Sequence, residues 1–435
     1  MPDQKIVILG AGFAGLTLAR KLQKSGCEIT LIDQYNFHQF QPLFYQVATA
    51  RLEPSSVSFP LRKVFQRRRN VHVRVSRVNA VDTAAKVVHT DTAGDFPYDY
   101  LVIATGCTTN FFGNKNIEQH AYPMKSTTEA TTIRNRLLLN FEDAIDAPPD
   151  VLEGIMNIVI AGGGPTGVEM AGSIAEMKKN VLPRDYPDMD FSKLNIYLIE
   201  GSAHTLNVMS EPSKRKSQEY LEKMGVKLLL NTIVKDYDGQ TLSYGDGQKL
   251  PTRLVLWTAG VMGNVPPGID KSLTVRGGRI KTDDRHRVPG LDGVFAIGDV
   301  SYMETPGFPQ GHPQLGNVAN HEGAHCAATI KALMAGKETT PFKYKNPGTM
   351  ATVGKRKAVV DLPFIKFQGF LAWLTWMFLH LMLIVSVKNR LVIFINWAMS
   401  YFTNDTTLRL ILLPTRKQVE LAVEHKALPD AVKGV

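Results

Sequence analysis

One pattern restricts this chain more than any other, and the sequence carries it twice. Residues 5–15, KIVILGAGFAG, are a short run of β-branched and apolar side chains that breaks into G-x-G-x-x-G. In such a run Gly10 permits a tight turn, Gly12 lets a pyrophosphate approach the backbone, and Gly15 lets a helix pack on the strand. The pyrophosphate then rests on the unpaired N–H groups at the helix N-terminus. The helix is read from LTLARKLQKSG, stopped by Gly26, and the next strand, CEITLID, ends at Asp33. A carboxylate at that distance accepts hydrogen bonds from a ribose.

The second copy is MNIVIAGGGPTGVEMAGSIAEM, with Gly162, Gly164 and Gly167 in the same places, and LNIYLIEG then ends its strand at Glu200. The intervening KKNVLPRDYPDMDFSK makes this acid arrive late. A further correspondence supports the repeat. DYLVIATG and RLVLWTAG are apolar strands closing on a small-residue turn; Leu101 follows Gly10 by 91 residues and Leu254 follows Gly162 by 92. Two homologous nucleotide-binding domains of α/β class are therefore expected. At 435 residues the chain has room for about three domains. A net charge of +10 suits an anionic partner: a nucleotide, an anionic membrane surface or nucleic acid; a basic solvated surface is the plain alternative. Cys27, Cys107 and Cys326 show no metal or disulfide spacing, which makes a reducing compartment the default and a metal site unexpected. The first strand begins almost at once, with no leader pattern before it, so the globular part is expected in the cytoplasm.

A late strand, GLDGVFAIGDVS, ends in Gly298-Asp299. Here the chain resembles the flavoprotein reductases that have two dinucleotide-binding domains. That resemblance implies FAD on the first domain, with Asp299 at its ribitol and pyrophosphate region, and NAD(H) on the second. Glu200 followed by Gly201-Ser202-Ala203, with no Arg beside it, favours NADH, because a 2′-phosphate would meet a carboxylate. Relatives that reduce disulfides carry a cysteine pair early in the chain. The corresponding segment here, YNFHQFQPLFYQVATARLEP, has none, so the electron acceptor must come from outside.

That segment, with FPYDYLVIATG, VIAGGGPTGVEMAG, FAIGDV, MATVGKRKAVVDLP and the apolar FQGFLAWLTWMFLHLM and NRLVIFINWAMSYF, resembles type II NADH dehydrogenase over residues 5–414. This is the single-subunit, non-pumping NADH:quinone oxidoreductase of respiratory membranes. The resemblance implies hydride transfer from NADH to FAD and two-electron reduction of a quinone. It implies a glutathione-reductase-like fold: an FAD domain of 1–118 and 264–345, an NADH domain of 119–263, and a membrane-associating helical region of 346–435. By the same resemblance Gly10, Gly12, Phe13, Ala14, Gly15, Asp33, Gln34, Thr49, Val78, Ala104, Thr105, Gly106, Gly298, Asp299, Gln314 and Leu315 would line the FAD site. Gly162, Gly164, Pro165, Thr166, Gly167, Glu200 and Gly260 would hold NADH. Glu169 would be the flavin-facing glutamate; its plain alternative is a carboxylate in the helix's first turn, placed there by the dipole. The family's quinone-lining Ala-Gln and later Gln are here Gly316-Asn317 and His321. Asn317 can donate to a quinone carbonyl with shorter reach, and His321 can donate a bond or a proton; a surface or core histidine is its alternative. A homodimer on the cytoplasmic face of the inner membrane is also implied, with no nucleic-acid partner.

Residues 369–387, GFLAWLTWMFLHLMLIVSV, carry no Asp, Glu, Lys or Arg. As one helix they would span about 28 Å, enough to cross a bilayer. Three features favour a segment lying on the membrane instead. Gln368, Ala372, Thr375 and Ser386 give a weaker face that can pack on protein. The following LVIFINWAMSYF is too short to return, and the tail at 415–426 has no reason to be exported. Trp373, Trp376, Trp397 and Tyr401, flanked by Lys366, Lys388 and Arg390, are side chains that suit headgroup depth. The basic run at 62–69 is either a further lipid contact or a solvated face. Rival readings are a sulfide:quinone oxidoreductase, a soluble reductase for a protein acceptor, and an FAD- and NADH-binding sensor with little turnover. Cys107 has no evident partner for the first of these, and the apolar C-terminal region opposes the second.

Overall fold

The computed structural model describes residues 4–405 and 408–414, apart from Arg276. It contains two compact units. The first comprises Met1–Gln39, Phe59–Thr108 and Val261–Lys345; the second comprises Phe40–Ser58, Thr109–Gly260 and the chain from Asn346 onward. Beside the expected division at 118, 263 and 345, this groups residues 40–58 and the C-terminal region with the second nucleotide-binding half. The tail at 415–426 lies outside the described residues.

In the first unit a five-stranded sheet runs in the order Val294–Ala296, Tyr100–Ile103, Lys5–Leu9, Glu28–Asp33, Val71–Val75. All four pairings are parallel, with Ile6 opposite both Ile29 and Tyr100. Ile6, Val7, Ile8 and Leu9 are all buried, because both faces of the sheet are covered and the strand cannot alternate. Helices Phe13–Leu22 and Gly316–Met334 pack on one another, close enough that a Cβ on Gly323 would lie 2.4 Å from the Ala14 carbonyl oxygen. An antiparallel layer, Val78–Asp82, Val87–Thr90 and Asp95–Pro97, adds Val81 and Val88 to the core formed by Val7, Leu9, Ile32 and Leu101.

The second unit repeats this plan. Its sheet order is Tyr122–Pro123, Leu254–Trp257, Asn157–Ala161, Asn195–Ile199, Val226–Leu229, again all parallel. Its antiparallel layer is Val234–Tyr237, Thr241–Tyr244 and Gln248–Pro251, and Tyr237, Leu242 and Leu250 pack with Val159, Val255 and Trp257. The stretch that delays Glu200 forms a helical turn at Leu182–Asp185 and another at Phe191–Lys193. In each unit one edge strand, Val294–Ala296 or Tyr122–Pro123, comes from outside the run of chain that forms the other four.

The C-terminal region adds an antiparallel sheet, Thr349–Thr352, Ala358–Asp361 and Lys366–Gln368, followed by helices Phe370–Leu383 and Val387–Thr403. The uncharged stretch is therefore not one helix. It stops at Leu383, where Ile384 turns extended, and Ser386 caps the next helix by accepting from the Asn389 N–H. Among the described residues no helix is long and apolar enough to cross a membrane. Ala372 and Trp376, one turn apart, form the buried face of the first helix, and Trp376 is 1% exposed. Trp376 is thus a core residue of its unit and not a headgroup-level aromatic. Leu371, Leu374, Phe378 and Met382 form an exposed apolar stripe along that helix. Val387, Leu391, Ile395, Met399 and Phe402 form one along the next.

Candidate functional site

The two glycine motifs have the same local construction. Gly10 and Gly162 sit at φ +97° and +108°, and a Cβ on either would run into backbone of the closing strand's turn, Ala104 in one case and Ala259 in the other. A Cβ on Gly15 or Gly167 would lie 1.9 Å from the carbonyl oxygen of Gly10 or Gly162. These four glycines are required by the protein's own packing. Gly12 and Gly164 are different: their φ values are ordinary, −67° and −70°, and a Cβ on either meets nothing within 4 Å. Each is the N-cap of its helix, with no side-chain cap. Nothing in the protein asks for glycine there, and the space it keeps clear lies over a helix N-terminus, which is what a bound pyrophosphate needs.

The acids are held alike. Asp33 accepts from the N–H of Ala11 (2.7 Å) and of Tyr35 (2.8 Å). Glu200 accepts from Gly163 (2.6 Å) and Ser202 (2.8 Å). Each carboxylate is fixed at the mouth of its glycine turn by one N–H inside the motif and one two residues beyond the acid. Burial pushes Asp33 up to about 6, against the pull of its two N–H donors. His38, which the sequence reading passed over, braces the first turn: its Nδ1 is 2.9 Å from the Ala11 oxygen and its ring meets Phe13 edge-on.

The other first-unit candidates gather at the same strand ends. Ala104 follows the closing strand; the Thr105 hydroxyl donates to the Asn264 carbonyl, and Gly106 comes next. Gly298 has φ +73°, and its N–H donates to Glu322 Oε2 at 2.5 Å. Glu322 is fully buried, also accepts from Ser301, and is pushed up to about 8 by burial. It anchors the Gly298-Asp299 turn, and a lone Glu inside an otherwise small-residue helix was the signal available for it. Cys107 donates its S–H to Asp299 Oδ2 at 3.1 Å, and Gln314 donates to the Asp299 carbonyl. Leu315 is the N-cap of the following helix. Gln34 is exposed, and Val78 packs on the core cluster.

Thr49 belongs to the second unit. Its hydroxyl donates to the Tyr45 carbonyl and meets Ser173 Oγ at 2.7 Å. In that unit Pro165 and Thr166 open the motif helix, and Gly260 accepts from the Asn110 N–H while lying against Phe112.

Glu169 is not an exposed first-turn carboxylate. Helix Pro165–Asn180 is overlaid by the hairpin at 349–361 along a face spelled Glu169, Gly172, Glu176. The Thr352 N–H donates to Glu169 at 3.3 Å and the Lys355 N–H donates to Glu176. Between them Gly172 lets the hairpin approach so closely that a Cβ there would be 2.6 Å from the Gly354 nitrogen. Burial pushes Glu169 up to about 8, offset in part by Thr352 and the Trp376 indole, so it is protonated at neutral pH. From it a hydrogen-bonded chain runs outward through Thr352: Thr352 Oγ1 to Tyr45 Oη at 3.1 Å, Gln46 Nε2 to Tyr45 Oη at 2.9 Å, and Trp397 Nε1 to Gln46 Oε1 at 2.7 Å. Tyr45, Gln46, Thr352, Trp373, Trp376 and Trp397 line one cavity. The chain thus joins a buried acid to a helix whose other face is apolar and exposed. Tyr45, Gln46 and Arg51, from the cysteine-free segment, lie in the wall of this cavity, and residue-type reasoning did not single them out.

Asn317 and His321 belong to the first unit, on helix Gly316–Met334. Asn317 Oδ1 accepts from the Val318 N–H, and His321 is exposed with its ring 5.7 Å from Tyr344.

Residues 4–323 match the family model described as pyridine nucleotide-disulphide oxidoreductase, and residues 347–404 match the NDH2 C-terminal domain. The type II NADH:quinone oxidoreductase Ndh of Mycobacterium tuberculosis is 33% identical over 415 residues, 92% of this chain and 88% of that protein. This chain belongs to the type II NADH:quinone oxidoreductases. An internal alternative NAD(P)H-ubiquinone oxidoreductase of Arabidopsis thaliana mitochondria is 29% identical, covering 91% of this chain and 84% of that protein. The fold matches that of NDH2 from Plasmodium falciparum in complex with NADH, with a TM-score of 0.86 at 20% identity over 94% of this chain and all of the other. A sulfide:quinone oxidoreductase from Aquifex aeolicus shares the fold at a TM-score of 0.69 and 19% identity. The type II relatives are matched along nearly their whole length, which sets aside the sulfide and soluble-reductase readings.

Proposed function

We infer that this chain oxidises NADH and reduces a membrane quinone to quinol as a non-pumping, FAD-dependent enzyme. The first glycine motif with Asp33, Thr105 and the Gly298-Asp299 turn would hold FAD, and the second with Glu200 would hold NADH. FAD, when bound, supplies the two-electron chemistry between the nicotinamide and the quinone. The protein supplies positions and protons. Gly12 and Gly164 leave the helix N-termini open to phosphate, and Glu200 disfavours a 2′-phosphate.

The observation that carries the acceptor assignment is the chain Glu169–Thr352–Tyr45–Gln46–Trp397 along the cavity wall. The Gln46 amide and the Tyr45 hydroxyl suit quinone carbonyls. Glu169, neutral at pH 7, holds a proton it can give up as the quinone takes electrons. The exposed apolar stripes on helices Phe370–Leu383 and Val387–Thr403 support a monotopic attachment that opens the cavity toward the bilayer, where the quinone resides. Asn317 and His321 are proposed as further quinone-side groups, and a homodimer on the cytoplasmic face as the working assembly. Replacing Gln46→Leu tests the acceptor site. Bleaching of the flavin by NADH keeps its wild-type rate in stopped flow, while reoxidation by quinone slows about tenfold or more. Equal slowing of both half-reactions contradicts the assignment.

A further inference from the structure

The hairpin over Glu169 ends in a tip, Gly354-Lys355-Arg356-Lys357, whose Arg356 and Lys357 are not among the residues lining the cavity. Arg356 is exposed and sits at φ +63°, a left-handed conformation rare for a long side chain. Its guanidinium lies 4.6 Å from the centre of the Tyr401 ring, and Lys355 Nζ lies 4.9 Å from the same centre. Lys357 lies over Tyr220. Tyr401 stacks on Trp373 at 5.8 Å, and Trp373 on Phe370 at 5.9 Å. Lys355 Nζ also donates to the Tyr401 carbonyl at 2.6 Å and to Asn404 Oδ1, tying the tip to the end of helix Val387–Thr403. The tip therefore stands where one apolar helix begins and the other ends. Phe402 beside it is 81% exposed. Among the described residues no carboxylate forms an ion pair with Arg356 or Lys357.

Arg356 over Tyr401 and Lys357 over Tyr220, neither ion-paired with a described carboxylate, stand at the edge of an exposed apolar surface and match the headgroup zone of an anionic bilayer. We propose that the 354–357 tip, with Tyr401, binds the phosphate of an anionic phospholipid headgroup. Arg356 offers the bidentate contact and Lys357 the second charge. The bound lipid would stand beside the cavity that Lys355, Trp373 and Tyr401 help to line. This rests on the monotopic reading above.

The test is co-sedimentation of the full chain with vesicles of phosphatidylcholine alone and of phosphatidylcholine mixed with phosphatidylglycerol. Wild type binds both and prefers the mixture. Arg356→Gln with Lys357→Gln keeps phosphatidylcholine binding but loses preference for the mixture by roughly twentyfold, at about fivefold per charge. Arg356→Lys with Lys357 intact retains most of it, which shows that the tip still folds. The control, Lys271→Gln with Lys281→Gln, removes the same charge from exposed positions elsewhere and costs less than about twofold. Unchanged preference in the tip variant, or an equal loss in the control, overturns the headgroup site and leaves membrane attachment standing. Failure of wild type to bind phosphatidylcholine overturns both.

Discussion

Gly12 and Gly15 stand three residues apart and answer to different partners. Gly15 is fixed by the backbone beneath it, since a Cβ would occupy the place of the Gly10 oxygen; Gly12 faces open space. Gly12→Ala should therefore leave the melting of the apoprotein within a degree or so of wild type and lower retained flavin about tenfold or more. Gly15→Ala should fail to fold. Absorbance at the flavin band after purification, with circular dichroism melting, separates the two; a destabilised Gly12→Ala that keeps its flavin contradicts this account. Glu169 carries the other residue-scale prediction. Burial pushes its carboxyl up to about 8 in the fold, from the ordinary 4.5 of the unfolded chain. The fold retains a proton that the unfolded chain has lost between those values. The stability this group contributes is thus complete below about pH 4.5 and disappears as pH rises through about 8. Glu169→Gln should flatten the fall in melting temperature over that window, and lower quinone-dependent turnover by about a hundredfold, the usual worth of a placed proton donor. Glu322 shifts in the same direction, so part of the fall persists in the variant. An unchanged slope would place the Glu169 pKa elsewhere.

Helices Phe370–Leu383 and Val387–Thr403 each have one face committed to the protein and one to the outside. The committed side is anchored polar as well as apolar. Asn389 Nδ2 donates to carbonyls of Ser55, Ser56 and Ser58, and Trp397 reaches Gln46. The Asp361 carboxylate, at the end of the hairpin's second strand, accepts from Ser210 and Ser213 at the start of helix Glu211–Lys223. These ties position the helices whether or not a bilayer is present. Leu371→Gln, Leu374→Gln and Phe378→Gln together should leave thermal stability nearly unchanged, because all three side chains are exposed. They should release the protein from phosphatidylcholine vesicles in sedimentation, since each loses on the order of 2 kcal/mol of apolar burial. Retained vesicle binding at wild-type strength would mean that the stripes are not the attachment surface.

Across the whole chain, what the sequence made legible is what the backbone cannot do otherwise. Both glycine turns, both acids and both closing strands could be read because each demands a residue type at a fixed spacing. The antiparallel layers at 78–97 and 234–251 were missed, since their strands are short, half-buried and without steady alternation. The outermost strands, Val294–Ala296 and Tyr122–Pro123, come from distant segments, and no local pattern announces where a strand will pair. The docking of the 349–361 hairpin was hidden for the same reason. Gly172 and Glu176 read as ordinary helix residues until the strand that lies on them is in place. Among the site residues, those of the two glycine turns could be placed from sequence, whereas Tyr45, Gln46 and Trp397 are joined only by the fold.

Steady-state NADH oxidation by the detergent-solubilised protein tests the electron donor and the acceptor together. The rate is measured with and without a short-chain ubiquinone or menaquinone analogue, with NADPH as the comparator. A large quinone-dependent rate with NADH is expected, and one lower by about tenfold or more with NADPH, where the 2′-phosphate would meet Glu200. A flavin that NADH bleaches and no quinone reoxidises would contradict it.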